Sequence, residues 1–231
     1  MIPMKLTYFG HSAFQIETGG VTILVDPFIT GNPHAEGVVT ADDLFPDVIL
    51  VTHAHGDHWG DTPSIAVRTG AQVVANYEIT QYLTQNHGHE NVLPMNTGGS
   101  WAFEWGRVIQ TDARHSSSFP DGTYGGNPNG FIVHVEGKCI YALGDTSAFA
   151  EMAWIGEEHD VDVALVPIGD CFTMGPKDSL RAVRMIRPKL TVPIHYGTFP
   201  LIEVDVAAWA RMMAEADFEA KVLAAGETLT L

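Results

Sequence analysis

The sequence predicts an α/β protein made of two sheets with helices outside them. Three observations carry this reading. Strand-like runs precede strand–helix units, and that order occurs twice along the 231 residues. Asp47–Thr52 (DVILVT) and Val161–Pro167 are near-continuous apolar strands, the kind buried on both faces. Hydrophobic residues make up 45% of the chain and charged residues 17%, which suits a packed core and excludes a disordered chain. No linker or low-complexity tract interrupts the pattern, so residues 1–231 read as a single domain.

The elements follow in order. Lys5–Phe9, Ala13–Glu17 and Val21–Asp26 read as strands, the last two joined at the Gly19-Gly20 turn. A loop rich in Gly, Pro and Asn covers Pro27–Asp43. After the Asp47–Thr52 strand, Thr62–Arg68 reads as a helix with Thr62 as its cap and Pro63 at its first position. Gln72–Ala75 is a short strand, and Asn76–Asn86 a helix capped by Asn76. Ser100–Glu104 and Arg107–Asp112 pair around Trp105-Gly106, and a long Gly- and Pro-rich loop follows His115. Phe131–Glu136 and Cys139–Leu143 form a hairpin around Gly137. Ser147–Ile155 reads as a helix, Val161–Pro167 as a strand and Pro176–Arg187 as a helix with Pro188 beyond it. Leu190–His195 is a strand, Ile202–Ala216 an amphipathic helix, and two short strands close the chain.

Twelve Lys and Arg stand against 28 Asp and Glu, a formal charge of −16. Basic side chains are few and scattered, which argues against nucleic acid as a partner. No apolar run approaches the roughly 20 residues of a membrane helix, and the first residues lack a basic segment followed by an apolar one. The expectation is a cytoplasmic protein that meets a small-molecule substrate and no membrane. Cys139 and Cys171 are too few for a disulfide framework. Histidine is the outlier: eleven residues, beside abundant carboxylate and little thiol, favour a nitrogen and oxygen metal site.

The chemistry concentrates in His53-Ala54-His55-Gly56-Asp57-His58, four metal-ligand types in six residues just past a buried strand. His53 and His55 can point to one side and share an ion. Asp57 and His58 can point towards a second, with Gly56 bending the backbone between the pairs. Further ligands must come from other strand ends, and His115, Asp145 and His195 each follow one. Asp145 could instead cap the helix that follows it.

These residues resemble the metallo-β-lactamase superfamily in kind and order: the HxHxDH motif at His53–His58, a later His115, Asp145 in Gly144-Asp145-Thr146, and a final His195. The resemblance implies an αββα sandwich. It also implies that His53, His55 and His115 hold a first metal, that Asp57, His58 and His195 hold a second, and that Asp145 bridges both. TYFGHSAFQIE, LVDPF at Leu24–Phe28, FTMGP at Phe172–Pro176 and PIHYGTFP at Pro193–Pro200 are similar to a branch of metal-dependent hydrolases related to the ascorbate-6-phosphate lactonases. His55 stands where redox diiron members carry Glu, which favours hydrolysis.

The implied activity is hydrolysis of a small-molecule lactone or ester by a hydroxide bridging two divalent metal ions. Zinc is the first expectation for those ions, with manganese or iron tolerated by the same donors. Two alternatives stand beside this: a phosphodiesterase acting on a small phosphorylated or nucleotide substrate, and a non-catalytic metal-binding protein. Asp57 is expected to ligate and to accept a proton, and His11 to protonate the leaving group. Asp26 is expected to orient a ligand histidine, Tyr196 to hydrogen-bond a developing oxyanion, and Phe172 and Met174 to line the substrate wall. Related lactonases assemble, so a homo-oligomer is also expected.

Overall fold

The first sheet opens as an antiparallel meander because strands joined by tight turns pair antiparallel with their neighbours. The computed structural model describes residues 3–231. In it β1 (Lys5–Gly10) pairs with β2 (Ala13–Glu17), and β2 with β3 (Thr22–Val25). The chain then changes to parallel pairing. β4 (Val48–Leu50) runs into α1 (Gly56–Trp59) and α2 (Thr62–Thr69), and β5 (Gln72–Asn76) follows. α3 (Tyr77–His87) then leads to β6 (Val92–Met95). β3 to β6 are parallel neighbours.

The second sheet repeats the plan. β7 (Ser100–Phe103), β8 (Gly106–Asp112), β9 (Asn129–Val135) and β10 (Lys138–Ala142) are antiparallel. α4 (Met152–Glu158) leads to β11 (Val163–Pro167), α5 (Pro176–Ile186) to β12 (Leu190–Ile194), and these strands pair in parallel. α6 (Val206–Glu215) precedes β13 (Thr228–Thr230), which returns to the first sheet beside β1. The strand orders are β13-β1-β2-β3-β4-β5-β6 and β12-β11-β10-β9-β8-β7.

Alternation along the strands builds three apolar layers. Leu6, Phe14, Ile23, Leu50, Val74, Phe131, Ile140, Leu165 and Val192 fill the space between the sheets. Leu24, Ile49 and Val73 face the other way and pack with Ile65 of α2 and Leu83 of α3. Tyr141, Ala164 and Val166 pack with Val183 and Ile186 of α5 and with Trp209 and Met213 of α6. The result is the αββα sandwich. No helix among the described residues is long and apolar enough to cross a membrane, and Cys139 and Cys171 are free thiols.

Several boundaries differ from expectation. The helix expected over Ser147–Ile155 begins only at Met152. Thr146 and Ser147 are tied to other loops, with Ser147 N donating to Arg114 O, Met174 N to Thr146 O and Arg114 N to Thr146 Oγ1. Asp61, not Thr62, takes the cap position of α2, and its carboxylate turns away to accept from Ile29 N and Thr30 N. α6 starts at Val206, where the Asp205 side chain accepts from Ala208 N. One strand, β13, closes the chain instead of two; Ala220 makes only an isolated bridge to Thr191. α1 and β6 add elements where the sequence shows no periodicity.

Candidate metal centre

All seven sequence-predicted ligands lie at the carboxyl ends of strands and on the loops that leave them, and they come from both sheets. His53, His55, Asp57 and His58 follow β4 of the first sheet. His115 follows β8, Asp145 follows β10 and His195 follows β12 of the second. The potential donor atoms of His53, His55 and His115 fall within 4.8 Å of one another, as do those of His53, His58 and Asp145. A further group of four, within the same distance, contains His11, Asp57, His58 and His195.

Local structure explains the aim of each side chain. His55 takes the cap position of α1, and one turn of helix carries Asp57 and His58 round from the direction of His53. The sharp bend comes at Gly60 rather than Gly56. Gly60 has φ of +40°, and a β-carbon there would collide with Pro27 O. His11, Asp26 and His195 also hold left-handed backbone, at φ of 56°, 43° and 53°. Such geometry costs a non-glycine residue about 1–2 kcal/mol and persists only where the surroundings enforce it. Here His11 O accepts from Tyr8 Oη at 3.0 Å and from His195 N at 2.8 Å.

Asp26 sets the protonation of two ligands. Its Oδ2 accepts from His58 Nδ1 at 2.8 Å and from Thr52 Oγ1 at 2.7 Å, while Oδ1 accepts from Thr52 N. The Thr52 hydroxyl, having donated to Asp26, accepts from His53 Nδ1 at 3.0 Å. Both imidazoles therefore carry a proton on Nδ1 and turn Nε2 inward.

Those inward atoms have the pattern of a metal site. His53 Nε2 lies 3.0 Å from His55 Nδ1, and nitrogens about 2.1 Å from one ion stand about 3.0–3.4 Å apart. Asp145 Oδ2 lies 2.9 Å from His195 Nε2, 3.5 Å from His115 Nε2 and 4.0 Å from His53 Nε2. Asp145 Oδ1 and His58 Nε2 approach to 3.2 Å without hydrogen-bond alignment, so these two buried atoms have no hydrogen-bonding partner among the described residues. Converging lone pairs and unpartnered buried polar atoms fit divalent cations.

The electrostatics separate the ligands. Burial opposes charge on His195, but the Asp145 carboxylate overrides it and pushes the imidazole up to about 9. His58 is likewise raised, against burial, by Asp145 and Asp26. His53, His55 and His115 are lowered, chiefly by burial. Burial favours neutral Asp57 and Asp145, yet neighbouring imidazoles hold both well below the usual carboxylate range. The cluster opens to solvent at Asp57, whose side chain is 27% exposed, and at His115, 13% exposed.

The remaining candidates divide. Phe172 sits half exposed on the loop after β11. Met174, expected on the substrate wall, is buried in the core beneath the second sheet. Tyr196, expected at an oxyanion, lines a surface recess with Tyr8, His34, Leu223 and Glu227, and no ligand residue borders that recess. His195 turns into the cluster, while Tyr196 beside it faces that recess. His11, expected to protonate a leaving group, is fully buried with both ring nitrogens engaged, by Asp57 Oδ2 at 3.1 Å and Thr198 Oγ1 at 2.9 Å. Burial lowers its pKa to about 4, and no ring edge is left for a substrate atom. Sequence reasoning missed Thr52 and Thr198, although each stands beside or near a ligand histidine and a hydroxyl there can relay a hydrogen bond.

Comparison with known proteins agrees with this geometry. Residues 5–195 match the beta-lactamase superfamily domain. A UPF0173 metal-dependent hydrolase of Salinibacter ruber is 50% identical over 228 residues, covering 99% of this chain and all of that protein. This chain belongs to the UPF0173 metal-dependent hydrolase family. A second such hydrolase, from Thermus thermophilus, is 48% identical over 228 residues, 99% of each chain. Igni18, a metallo hydrolase of the archaeon Ignicoccus hospitalis, is 40% identical with a TM-score of 0.90, covering 99% of this chain and 98% of its own. The protein is thus a metal-dependent hydrolase of the metallo-β-lactamase superfamily, and its His and Asp cluster is able to hold metal.

Proposed function

We propose that this hydrolase uses two divalent ions to open a small, uncharged lactone or ester. The observation that carries the reading is the position of Asp145, whose Oδ2 reaches both His115 and His195. One carboxylate between two imidazole groups supports a pair of ions. Bound there, the ions supply Lewis acidity and hydroxide at neutral pH.

The chain's own residues supply the rest. Asp26 and Thr52 hold His58 and His53 with their lone pairs inward. In this reading Asp57, the more exposed of the two ligand carboxylates, would accept a proton at the solvent side. Phe28 and Phe199 pack edge-on against His11, with ring centroids 5.6 and 5.5 Å away, and give that end of the site an apolar wall.

A neutral carbonyl substrate is favoured over a phosphodiester by the charges around the centre. Across the loops that bear the ligands, residues 26–35, 53–61, 113–128, 144–151, 168–175 and 195–203, the sole Lys or Arg is Arg114. Its guanidinium turns away, donating to Glu151 Oε2 at 2.8 Å and stacking over Phe149. A phosphate would find no free cation besides the metals.

The test is a substrate panel of lactones, aryl esters and bis-p-nitrophenyl phosphate, run with zinc and with manganese. Lactone or ester turnover that exceeds phosphodiester turnover supports the reading. Turnover of the phosphodiester alone overturns it in favour of a phosphodiesterase, and metal uptake without any turnover in favour of a binding protein.

A further inference from the structure

The residue that the seven-ligand scheme does not absorb is His11. It is buried as completely as His53 and His58, at 0% exposure. Its ring lies 4.2 Å from that of His195, centroid to centroid, and 5.6 Å from that of His58. Its Nε2 is 3.1 Å from Asp57 Oδ2, closer to that carboxylate than His195 Nε2 at 3.7 Å. Its Nδ1 faces Thr198 Oγ1 at 2.9 Å, and that hydroxyl is within 3.4 Å of Tyr196 O, to which it donates. That hydroxyl can accept from His11 Nδ1–H while it donates to Tyr196 O. A ring nitrogen of His11 and donor atoms of Asp57, His58 and His195 lie within 4.8 Å of one another, a group able to hold an ion. A cation there would take the Nε2 lone pair of His11 with its proton kept on Nδ1.

We infer that His11 is a metal ligand, joining Asp57, His58 and His195 on the second ion. The inference rests on the two-ion reading above. It deepens that reading by making the two positions unequal. The first draws on His53, His55, His115 and Asp145. The second draws on five protein donors: His11, Asp57, His58, His195 and Asp145. Five donors and one place left for substrate or water make a shell that manganese or iron(II) accepts more readily than zinc, whose sites are mostly four-coordinate. Thr198 is a positioning residue in this scheme, acting on the ion only through the His11 tautomer.

The backbone supports the assignment. An ordinary turn at this place would use Gly or Asn for the left-handed conformation. Here histidine holds φ of 56°, and its carbonyl is clamped from both sheets by Tyr8 Oη and His195 N. That clamp aims the ring inward and leaves it no exposed surface.

The test uses the full-length protein loaded with zinc, manganese or cobalt. Elemental analysis of His11→Ala should give one ion per chain where the wild type holds two, and chelator competition should show the weaker site lost by at least about 100-fold. Thr198→Val should weaken the same site by roughly 10-fold. In the cobalt-loaded protein, removing a ligand should strengthen the visible absorption as the coordination number falls. Imidazole nitrogen NMR of the unaltered zinc-loaded protein gives a readout independent of mutation: His11 Nε2 should shift as a metal-bound nitrogen, with the proton on Nδ1. A protonated Nε2 in the loaded wild type, or two tightly bound ions and an unchanged cobalt spectrum in a folded His11→Ala, overturns the inference. A wild type that binds one ion overturns the two-ion reading instead, and the nitrogen resonance then decides His11 separately.

Discussion

Asp26 Oδ2 accepts a hydrogen bond from His58 Nδ1 at 2.8 Å, so a carboxylate outside the converging donor groups determines which nitrogen of His58 faces them. Asp26→Asn keeps the shape but presents a donor or a weaker acceptor to the same nitrogen. His58 then carries its proton on Nε2 for part of the time. Metal affinity should fall about 10- to 100-fold while the far-ultraviolet circular dichroism stays unchanged. Titration against a chromophoric chelator measures this.

Asp145 Oδ2 lies 2.9 Å from His195 Nε2 and 3.5 Å from His115 Nε2, so its removal touches donors from two loops. Asp145→Ala and His53→Ala should each lower hydrolysis by roughly 100- to 1,000-fold or more and lower bound metal per chain by elemental analysis. A full complement of two ions in the Asp145 variant would contradict the bridging position.

The metal-free protein should depend on pH through His195, which the folded site holds at about 9 against about 6.5 in an unfolded chain. Folding therefore raises this pKa. The stabilisation is complete below about pH 6.5 and is lost as pH rises through 9. Thermal melts of chelator-treated protein should fall across that window. Metal uptake must expel the same proton, so calorimetry in buffers of different ionisation enthalpy should record proton release near pH 7.

Gly60 carries the bend that ends α1 just beyond Asp57 and His58. Gly60→Ala adds a β-carbon against Pro27 O on a left-handed backbone. The expected loss is about 1–3 kcal/mol by urea unfolding of the metal-free protein.

The two thiols should differ sharply. Cys139 is buried, and burial with the nearby Asp162 carboxylate pushes its thiol up to about 12. Cys171 is exposed. A thiol reagent at pH 8 should modify one cysteine per native chain, identified by peptide mapping as Cys171, and a second only after unfolding.

The sandwich and the clustering of these His and Asp side chains were legible because both follow from periodicity and local spacing. The apolar runs before His53 and after Val161 mark buried strands, and each ligand type sits just past a strand end. The α1 helix was not legible: four residues between His55 and Gly60 show no helical period. Ser147–Ile155 misled for the opposite reason. Its composition suits a helix, but Thr146 and Ser147 spend their polar groups on Arg114 and Met174, contacts distant in sequence. Proximity along the chain puts Tyr196 and Met174 near the centre but does not say which side of the chain a residue faces. Thr52 and Thr198 act through single hydroxyls, and nothing in composition distinguishes such a hydroxyl from any other.

The joining of His11 O to His195 N has a consequence for folding order. It links the end of β1 to the end of β12, one in each sheet, at the place where the donors of both sheets meet. A chain that has formed only its first sheet owns His53, His55, Asp57 and His58 but lacks His115, Asp145 and His195. The centre therefore assembles only when the sheets have stacked. Metal capture then reports the completed molecule, and an isolated half of the chain has no complete donor set with which to take up the ions.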